Sequence, residues 1–296
     1  MTPKARARAR LGVLLAVLAL CLAALWRIGP RVLPAAPRAE LPHGAVDAGP
    51  TPPPLPSLGC GHTPDGGTRD RSDFVMVDGQ RRKYLVVLPR GYVPTRPYPL
   101  LFAFHGSGGN GEGYRSWLDL ESYYGDAVIA VYPDAVVRRI WAEEVATHWG
   151  RVEDLPFFDA MLDAIGREHC VDRARVLATG WSSGGYFANQ LACARPDAVR
   201  AIASLSGGGP EQIDCPRPHA AFIFHDRDDH AVMISEGRAS RDHWRTTNAC
   251  GRSRTEGTCE VYTGCAAPLV WCETSGNGHG VPPSVRAAMW SFLSAF

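Results

Sequence analysis

A glycine-flanked serine motif, GWSSG at residues 180–184, constrains the fold of this chain more than any other segment. It follows an apolar, strand-like run at residues 175–179 and precedes a helical stretch at residues 186–193. The flanking glycines permit a turn too tight for Cβ atoms, and a strand–turn–helix setting of this kind raises Ser182 above the edge of a sheet. The helix that begins at Ser183 directs its positive end toward the same point. The motif therefore predicts a nucleophilic serine at the end of a buried strand.

Continuous apolar runs alternate with segments of helical spacing along the body of the chain. Apolar runs of this length indicate strands that are buried on both faces, and the helical segments indicate the layers that cover them. We expect seven strands, at residues 83–88, 100–104, 127–132, 175–179, 201–205, 220–224 and 269–271. The alternation predicts one α/β domain with a mostly parallel central sheet and helices on both faces.

A serine nucleophile needs a base that is oriented by an acid, and after a serine turn of this type the chain order is serine, acid, histidine. His279 lies between glycines in a late loop, where a core-packing histidine would be unusual, and we expect it to be the base. For the acid we favour Asp229, which follows the strand at residues 220–224. The composition of that loop alone does not separate Asp229 from Asp226 or Asp228.

The glycine-rich loop at residues 105–110 follows an early strand and is expected to bind the oxyanion. The backbone N–H of Ser107 or Gly108 would form one half of the oxyanion hole, and the N–H of Ser183 the other half. A phosphate cradle is the rival interpretation, but no Lys-Ser or Lys-Thr pair follows the loop. We expect His105 to pack beneath the loop and not to act as a second base.

Two tryptophans near these motifs, Trp181 and Trp149, are candidates for an aromatic wall against the acyl group of a substrate. Core positions would suit both side chains equally well. The sequence therefore leaves their role open between substrate binding and packing.

The N-terminus has the pattern of a targeting segment. Residues 11–26 carry no charge and follow four cations, as in a secretory signal, although the same run would suit an uncleaved anchor. We expect residues 1–27 to be a signal peptide or membrane anchor, residues 28–58 a Pro-rich linker and residues 59–296 the catalytic domain. The protein is then secreted or in the cell envelope, with membrane attachment, if any, through residues 11–26.

Cysteine usage agrees with export. Eight cysteines follow the apolar run, an even number that predicts up to four disulfides in an oxidising compartment. The chain leaves Cys170 along a strand and comes back along the following helix, and the rise per residue of each element brings it back beside Cys170 near Cys193. We therefore expect Cys170 and Cys193 to pair. The spacings lack a Cys-x-x-Cys pair and a His-Glu-x-x-His motif, and we expect no metal site.

At these residues the sequence resembles the α/β-hydrolase esterases that include polyhydroxybutyrate depolymerases and the feruloyl esterases of carbohydrate esterase family 1. The resemblance spans residues 59–296 and implies Ser182 as nucleophile, Asp229 as acid and His279 as base. This chain departs from the family at Asp226, where glycine is usual, and at His230, where proline is common. The motifs that carry the resemblance are Asp78-Gly79, Arg82-Lys83-Tyr84, Tyr98-Pro99-Leu100, His105-Gly106, residues 154–158, the Ser182 turn, His225 with Asp229, Gly278-His279 and the cysteine-rich end.

We therefore expect a secreted serine esterase, feruloyl esterase-like, that acts on aryl esters linked to plant cell-wall polysaccharide and needs no cofactor. A polyhydroxyalkanoate depolymerase is the alternative, and an acyltransferase, a peptidase or an inactive binding module is less favoured. A formal net charge of +1 gives no electrostatic reason to expect nucleic acid as a partner. The 45% hydrophobic content excludes disorder as the state of the whole chain.

Overall fold

The computed structural model describes residues 46–62, 69–140, 144–211 and 213–296, all of which belong to one compact unit, Ala39–Phe296. The predicted signal or anchor segment and the first part of the predicted linker lie outside these residues. None of the described helices is long and apolar enough to cross a membrane.

The core of the domain is a ten-stranded sheet with the order β1-β2-β4-β3-β7-β8-β9-β12-β11-β10. In this spatial order, each pair of neighbours from β4 to β12 is parallel. The two outer strands at each end, β1 and β2 on one side and β11 and β10 on the other, are joined by antiparallel pairs. A separate hairpin is formed by β5 and β6. The strands are β1 (Asp70–Val77), β2 (Gln80–Val87), β3 (Tyr98–Phe104), β4 (Ile129–Pro133), β5 (Val137–Arg139), β6 (Val145–Thr147), β7 (Val171–Trp181), β8 (Ala201–Leu205), β9 (Ala220–Asp226), β10 (Ser253–Glu256), β11 (Cys259–Tyr262) and β12 (Leu269–Thr274).

Helices cover both faces of this sheet, and each face has its own apolar core. One core includes Phe158 and Phe187, and the other includes Leu118 and Phe292. The helices are α1 (Gly111–Leu118), α2 (Glu121–Tyr124), α3 (Leu155–Glu168), α4 (Ser183–Ala194), α5 (Ile234–Thr247) and α6 (Pro283–Leu293). The seven expected strands and the α/β layering are confirmed. The sequence patterns did not predict β1, β10, β11 or the β5–β6 hairpin.

Four disulfides are present among the described residues, Cys60–Cys170, Cys193–Cys215, Cys250–Cys265 and Cys259–Cys272. They agree with export into an oxidising compartment. The expected Cys170–Cys193 bridge was wrong, because the segment before β1 returns to β7 and places Cys60 beside Cys170.

The segment before β1 is fastened to the start of β7. Pro56 forms a β-bridge with Asp172, and Leu55 N donates to Asp172 Oδ1 at 2.8 Å. Ser57 Oγ donates to the carbonyl of His169 at 2.7 Å. Residues 55–57, which the sequence assigned to the linker, thus pack against the catalytic domain.

Candidate active site

Ser182 lies in a strained turn between β7 and α4. Its φ of 56° and ψ of −121° fall in a region that non-glycine residues rarely adopt. The turn is held because Ser182 N donates to the carbonyl of Leu205 and its own carbonyl accepts from Gly185 and Tyr186. A Cβ at Gly184 would lie 2.1 Å from the carbonyl oxygen of Phe104, so the helix can approach β3 only with glycine there. The local sequence thus dictates the sharp turn that presents the serine hydroxyl.

The loops after β9 and β12 bring an aspartate and a histidine together. His279 Nδ1 donates to Asp229 Oδ2 at 2.6 Å, and this carboxylate is 1% exposed. β9 and β12 are parallel neighbours, so the two loops leave the same edge of the sheet. Of the three candidate acids, Asp229 is the one that contacts His279.

The other oxygen of Asp229 is held by backbone groups of its own loop. Oδ1 accepts from Ala231 N at 2.9 Å and from Val232 N at 3.0 Å. The buried His225 lies behind the carboxylate, with Nε2 2.8 Å from the Val232 carbonyl and 3.3 Å from Asp229 Oδ2. Burial lowers the pKa of His225, which keeps its ring neutral at pH 7. Asp229 is therefore fixed in place before any substrate binds.

Asp226 is a buried residue that holds the histidine loop in place. Its Oδ2 accepts from Thr274 Oγ1 at 2.6 Å, Asn277 Nδ2 at 2.9 Å and Asn277 N at 3.2 Å. Burial alone would raise the pKa of Asp226, but the hydrogen bonds from Thr274 and Asn277 outweigh it and lower the pKa. The exposed Asp228 adds a second tie, since its Oδ2 accepts from Gly276 N at 2.7 Å.

The expected oxyanion donors fall into two groups. Ser183 and Ser107 both line the same cavity as Ser182. Ser183 is the first residue of α4, and its N–H has no backbone acceptor among the described residues. Gly108 N, by contrast, donates to the carbonyl of Thr147 at 2.9 Å. Its N–H is therefore occupied, and the geometry favours Ser107 over Gly108.

His105 packs beneath its loop as expected. Its Nδ1 donates to the carbonyl of Gly106 at 2.7 Å, and its Nε2 accepts from Ala135 N at 3.0 Å. Both ring nitrogens are thereby engaged, and burial lowers the pKa of the ring. His105 supports the loop and has no nitrogen left to act as a base.

The two tryptophans have different positions. Trp149 is 2% exposed, donates from Nε1 to the carbonyl of His105 at 2.9 Å and stacks on Phe187, so it is mainly a core residue with one edge on the cavity. Trp181 is half-buried and donates from Nε1 to the carbonyl of His279 at 2.9 Å. Its ring centroid lies 4.7 Å from that of His279. Trp181 thus braces the histidine as well as lining the cavity.

Ser182, His279, Ser183 and Ser107 all line one cavity of about 550 Å³. Its walls also include residues that the sequence patterns had not indicated, among them His148, whose Nδ1 lies 2.7 Å from Ser107 Oγ. His148 follows β6, whose three residues are too few for a pattern to reveal. The described residues that line it are Ser107, Ile140, Glu144, His148, Trp149, Arg151, Trp181, Ser182, Ser183, Tyr186, Phe187, Ala231, Val232, Met233, Glu236 and His279.

Within the described residues, one group of potential metal ligands occurs away from this cavity. Donor atoms of Cys193, Cys215 and His243 lie within 4.8 Å of one another. The two sulfurs are joined in a disulfide, so they offer no thiolate to a metal ion.

The chain is similar to known esterases. It is 28% identical over 239 residues to feruloyl esterase C of Emericella nidulans, covering 72% of this chain and 84% of the relative. It is 29% identical over 281 residues to feruloyl esterase D of Neurospora crassa, covering 81% and 91%. A CE1 ferulic acid esterase from Anaeromyces mucronatus, solved with ferulic acid, superposes with a TM-score of 0.54 at 14% identity over 78% of this chain and 92% of that chain.

A family model for the prolyl oligopeptidase family matches residues 138–208, which include the Ser182 turn. Together with the sheet order, these similarities confirm the expected α/β-hydrolase fold and the expected relationship to the feruloyl esterases.

Proposed function

We propose that this α/β-hydrolase, a homologue of fungal feruloyl esterases, is a serine carboxylic ester hydrolase that cleaves aryl esters through Ser182, His279 and Asp229. The observation that carries the proposal is the shared cavity: the strained Ser182 and the Asp229-bound His279 both line it. The similarity to feruloyl esterases supports an aryl acyl group.

In this mechanism Ser182 Oγ attacks the ester carbonyl carbon while His279 Nε2 takes the hydroxyl proton. Asp229 keeps the imidazole in the tautomer with hydrogen on Nδ1 and stabilises the imidazolium. The N–H groups of Ser183 and Ser107 bind the oxyanion, with the positive end of α4 behind them. Collapse of the tetrahedral intermediate breaks the bond between the acyl carbon and the alcohol oxygen, and the alcohol leaves with the proton from His279. Water then gives a proton to His279 and attacks the acyl carbon. Collapse of this second intermediate breaks the bond to Ser182 Oγ, which takes the proton back from His279 as the acid is released.

The walls of the cavity support an aromatic acyl group over an aliphatic one. The half-buried Trp181 presents ring surface, while Val232 and Met233 add apolar contact on the side of α5. Flat apolar walls bind a planar ring with little loss of conformational entropy. A flexible 3-hydroxybutyrate chain would use this surface less well.

The setting of the enzyme is part of the proposal. Residues 11–26 would direct export or anchor the chain, and the Pro-rich stretch from residue 28 would act as a spacer up to Val46 and Ala48, which pack against the core of the domain. A spacer of this kind suits an ester substrate that is linked to an insoluble polymer.

The test compares kcat/KM of the full chain for methyl ferulate, p-nitrophenyl butyrate and a 3-hydroxybutyrate trimer, with Ser182→Ala as the background. We expect methyl ferulate to exceed the trimer by at least 10-fold. Preference for the trimer would instead favour a polyhydroxyalkanoate depolymerase. Hydrolysis of p-nitrophenyl butyrate alone would retain the esterase and contradict the aryl acyl specificity.

A further inference from the structure

One end of the active-site cavity is closed by a hydrogen-bonded tyrosine and glutamate. Tyr186 lies four residues after Ser182 in α4, a rise of about 6 Å, and Glu236 lies in the first turn of α5. Tyr186 Oη donates to Glu236 Oε2 at 3.1 Å, and both side chains line the cavity. The other carboxylate oxygen of Glu236 has no hydrogen bond within the described residues.

The chain leaves space for this pair. A Cβ at Gly208 would lie 2.7 Å from the Tyr186 ring and 2.9 Å from Glu236 Oε2. Any larger residue there would displace the phenol or the carboxylate. The pair is therefore accommodated by the loop after β8, which the catalytic triad does not use.

The charges at this end of the cavity favour a neutral hydrogen-bond donor. The Arg151 guanidinium lies 5.6 Å from the Tyr186 ring centroid and is paired with Glu211. Because Glu211 neutralises Arg151, the Glu236 carboxylate remains as the acceptor on the cavity lining. An anionic ligand would meet this negative charge, whereas a hydroxyl group would donate to it.

Tyr186 itself stays protonated at working pH. Burial, and then the neighbouring Glu236 carboxylate, raise the pKa of its phenol above the ordinary range. With its hydrogen committed to Glu236, the Tyr186 oxygen remains an acceptor. Either member of the pair can thus accept the single hydrogen of a ligand hydroxyl.

We propose that Glu236 and Tyr186 form a subsite that binds the phenolic hydroxyl of a hydroxycinnamoyl acyl group whose ester carbonyl lies at Ser182. The half-buried ring of Trp181 lies on the same cavity and would contact the aromatic ring of the acyl group. This inference rests on the proposed function and goes further, since it names the group on the ring that is recognised. An acyl group without that hydroxyl leaves the second oxygen of the Glu236 carboxylate without a partner, which is costly for a half-buried charge.

The test measures kcat/KM of the full chain for methyl 4-hydroxycinnamate and methyl 4-methoxycinnamate, and takes their ratio as the readout. Both esters contain methanol as the alcohol, so the ratio reports on the acyl side alone. The variants are Glu236→Gln and Tyr186→Phe. Glu260→Gln is the matched control, because Tyr262 Oη donates to Glu260 Oε2 at the same 3.1 Å on β11, outside the cavity lining. Thermal unfolding midpoints verify that each variant folds.

In the wild type we expect the ratio to be 10 or more in favour of the free hydroxyl. It should fall by about 10-fold in Glu236→Gln and by a smaller factor in Tyr186→Phe, and it should be unchanged in Glu260→Gln. A wild-type ratio near 1 with both esters hydrolysed would overturn the subsite and leave the aryl esterase standing. A high ratio that both variants retain would also overturn it. Failure to hydrolyse either ester would contradict the proposed function as well.

Discussion

Asp226 Oδ2 accepts two hydrogen bonds from Asn277, one from the side chain and one from the backbone N–H. Asn277 lies two residues before His279, so this buried carboxylate fixes the loop that carries the proposed base. The histidine loop is thus held by this charged contact as well as by the hydrogen bond from His279 to Asp229.

Asp226→Asn should lower kcat for p-nitrophenyl butyrate by about 10- to 100-fold with little change in KM, because an amide nitrogen cannot accept from Thr274 or Asn277 and His279 loses its position. Steady-state kinetics at several pH values, together with the unfolding midpoint, measure the effect. Asp228→Asn is the control, since Asp228 is exposed and makes one contact to the loop; we expect a change of less than about 3-fold. Equal effects of the two substitutions would contradict a special role for Asp226.

Asp229→Asn should lower kcat by roughly 10³- to 10⁴-fold, because an amide favours the wrong imidazole tautomer and cannot stabilise the imidazolium. The hydrogen bonds from Ala231 and Val232 to Oδ1 can persist, so the fold should be retained. The measurement is kcat with an activated ester, next to a circular dichroism spectrum. A folded variant with more than a tenth of wild-type kcat would remove Asp229 from the proposed triad.

The sequence predicted those parts of the site that are determined locally. The turn at Ser182 follows from glycines within two residues of the serine, and the position of His279 follows from its glycine-flanked loop. Asp229 was not separable from Asp226 and Asp228, because the choice depends on which carboxylate the loop after β12 reaches. That contact joins residues 50 positions apart and is fixed by the parallel pairing of β9 with β12.

The wrong disulfide prediction and the missed site residue His148 also arose from contacts between distant segments. Cys170 was expected to pair with Cys193 from the rise of a strand and a helix, but the pairing of residues 55–57 with β7 brings Cys60 closer. The strands β5 and β6 have three residues each, too few for a periodic pattern, so His148 beside Ser107 was missed.

Removing the Cys60–Cys170 disulfide should destabilise the protein more than removing Cys193–Cys215. The first closes a loop of 110 residues and the second one of 22, and loop-closure entropy predicts losses of about 5 and about 3 kcal/mol. Chemical denaturation of the two Cys→Ala double variants measures the difference. A larger loss for Cys193→Ala/Cys215→Ala would show that packing, and not chain entropy, determines the effect.

Stability should fall below neutral pH because of His219. Burial first, and then Arg217 and Arg200, lower the pKa of this histidine to about 4, while its unfolded value is about 6.5. The unfolded chain therefore binds the extra proton between pH 6.5 and 4, so the contribution of His219 is complete above pH 6.5 and is lost as the pH falls toward 4. At pH 5 the loss is about 2 kcal/mol.

The pKa of His169 is also lowered to about 4, with burial again as the primary cause, so this histidine adds to the loss of stability at low pH. Denaturant unfolding of His219→Leu at pH 7.5 and 5 should show a loss about 2 kcal/mol smaller than in wild type. His62→Leu, at an exposed position, is expected to keep the wild-type difference. An unchanged pH dependence in His219→Leu would contradict this account.

The most direct test of the central claim is covalent labelling with a p-nitrophenyl alkylphosphonate, followed by mass spectrometry of the full chain. We predict one adduct per molecule on Ser182, complete loss of ester hydrolysis on labelling, no adduct in Ser182→Ala and much slower labelling in Asp229→Asn. A stoichiometric adduct on another residue, or ester hydrolysis that persists in fully labelled protein, would contradict Ser182 as the nucleophile.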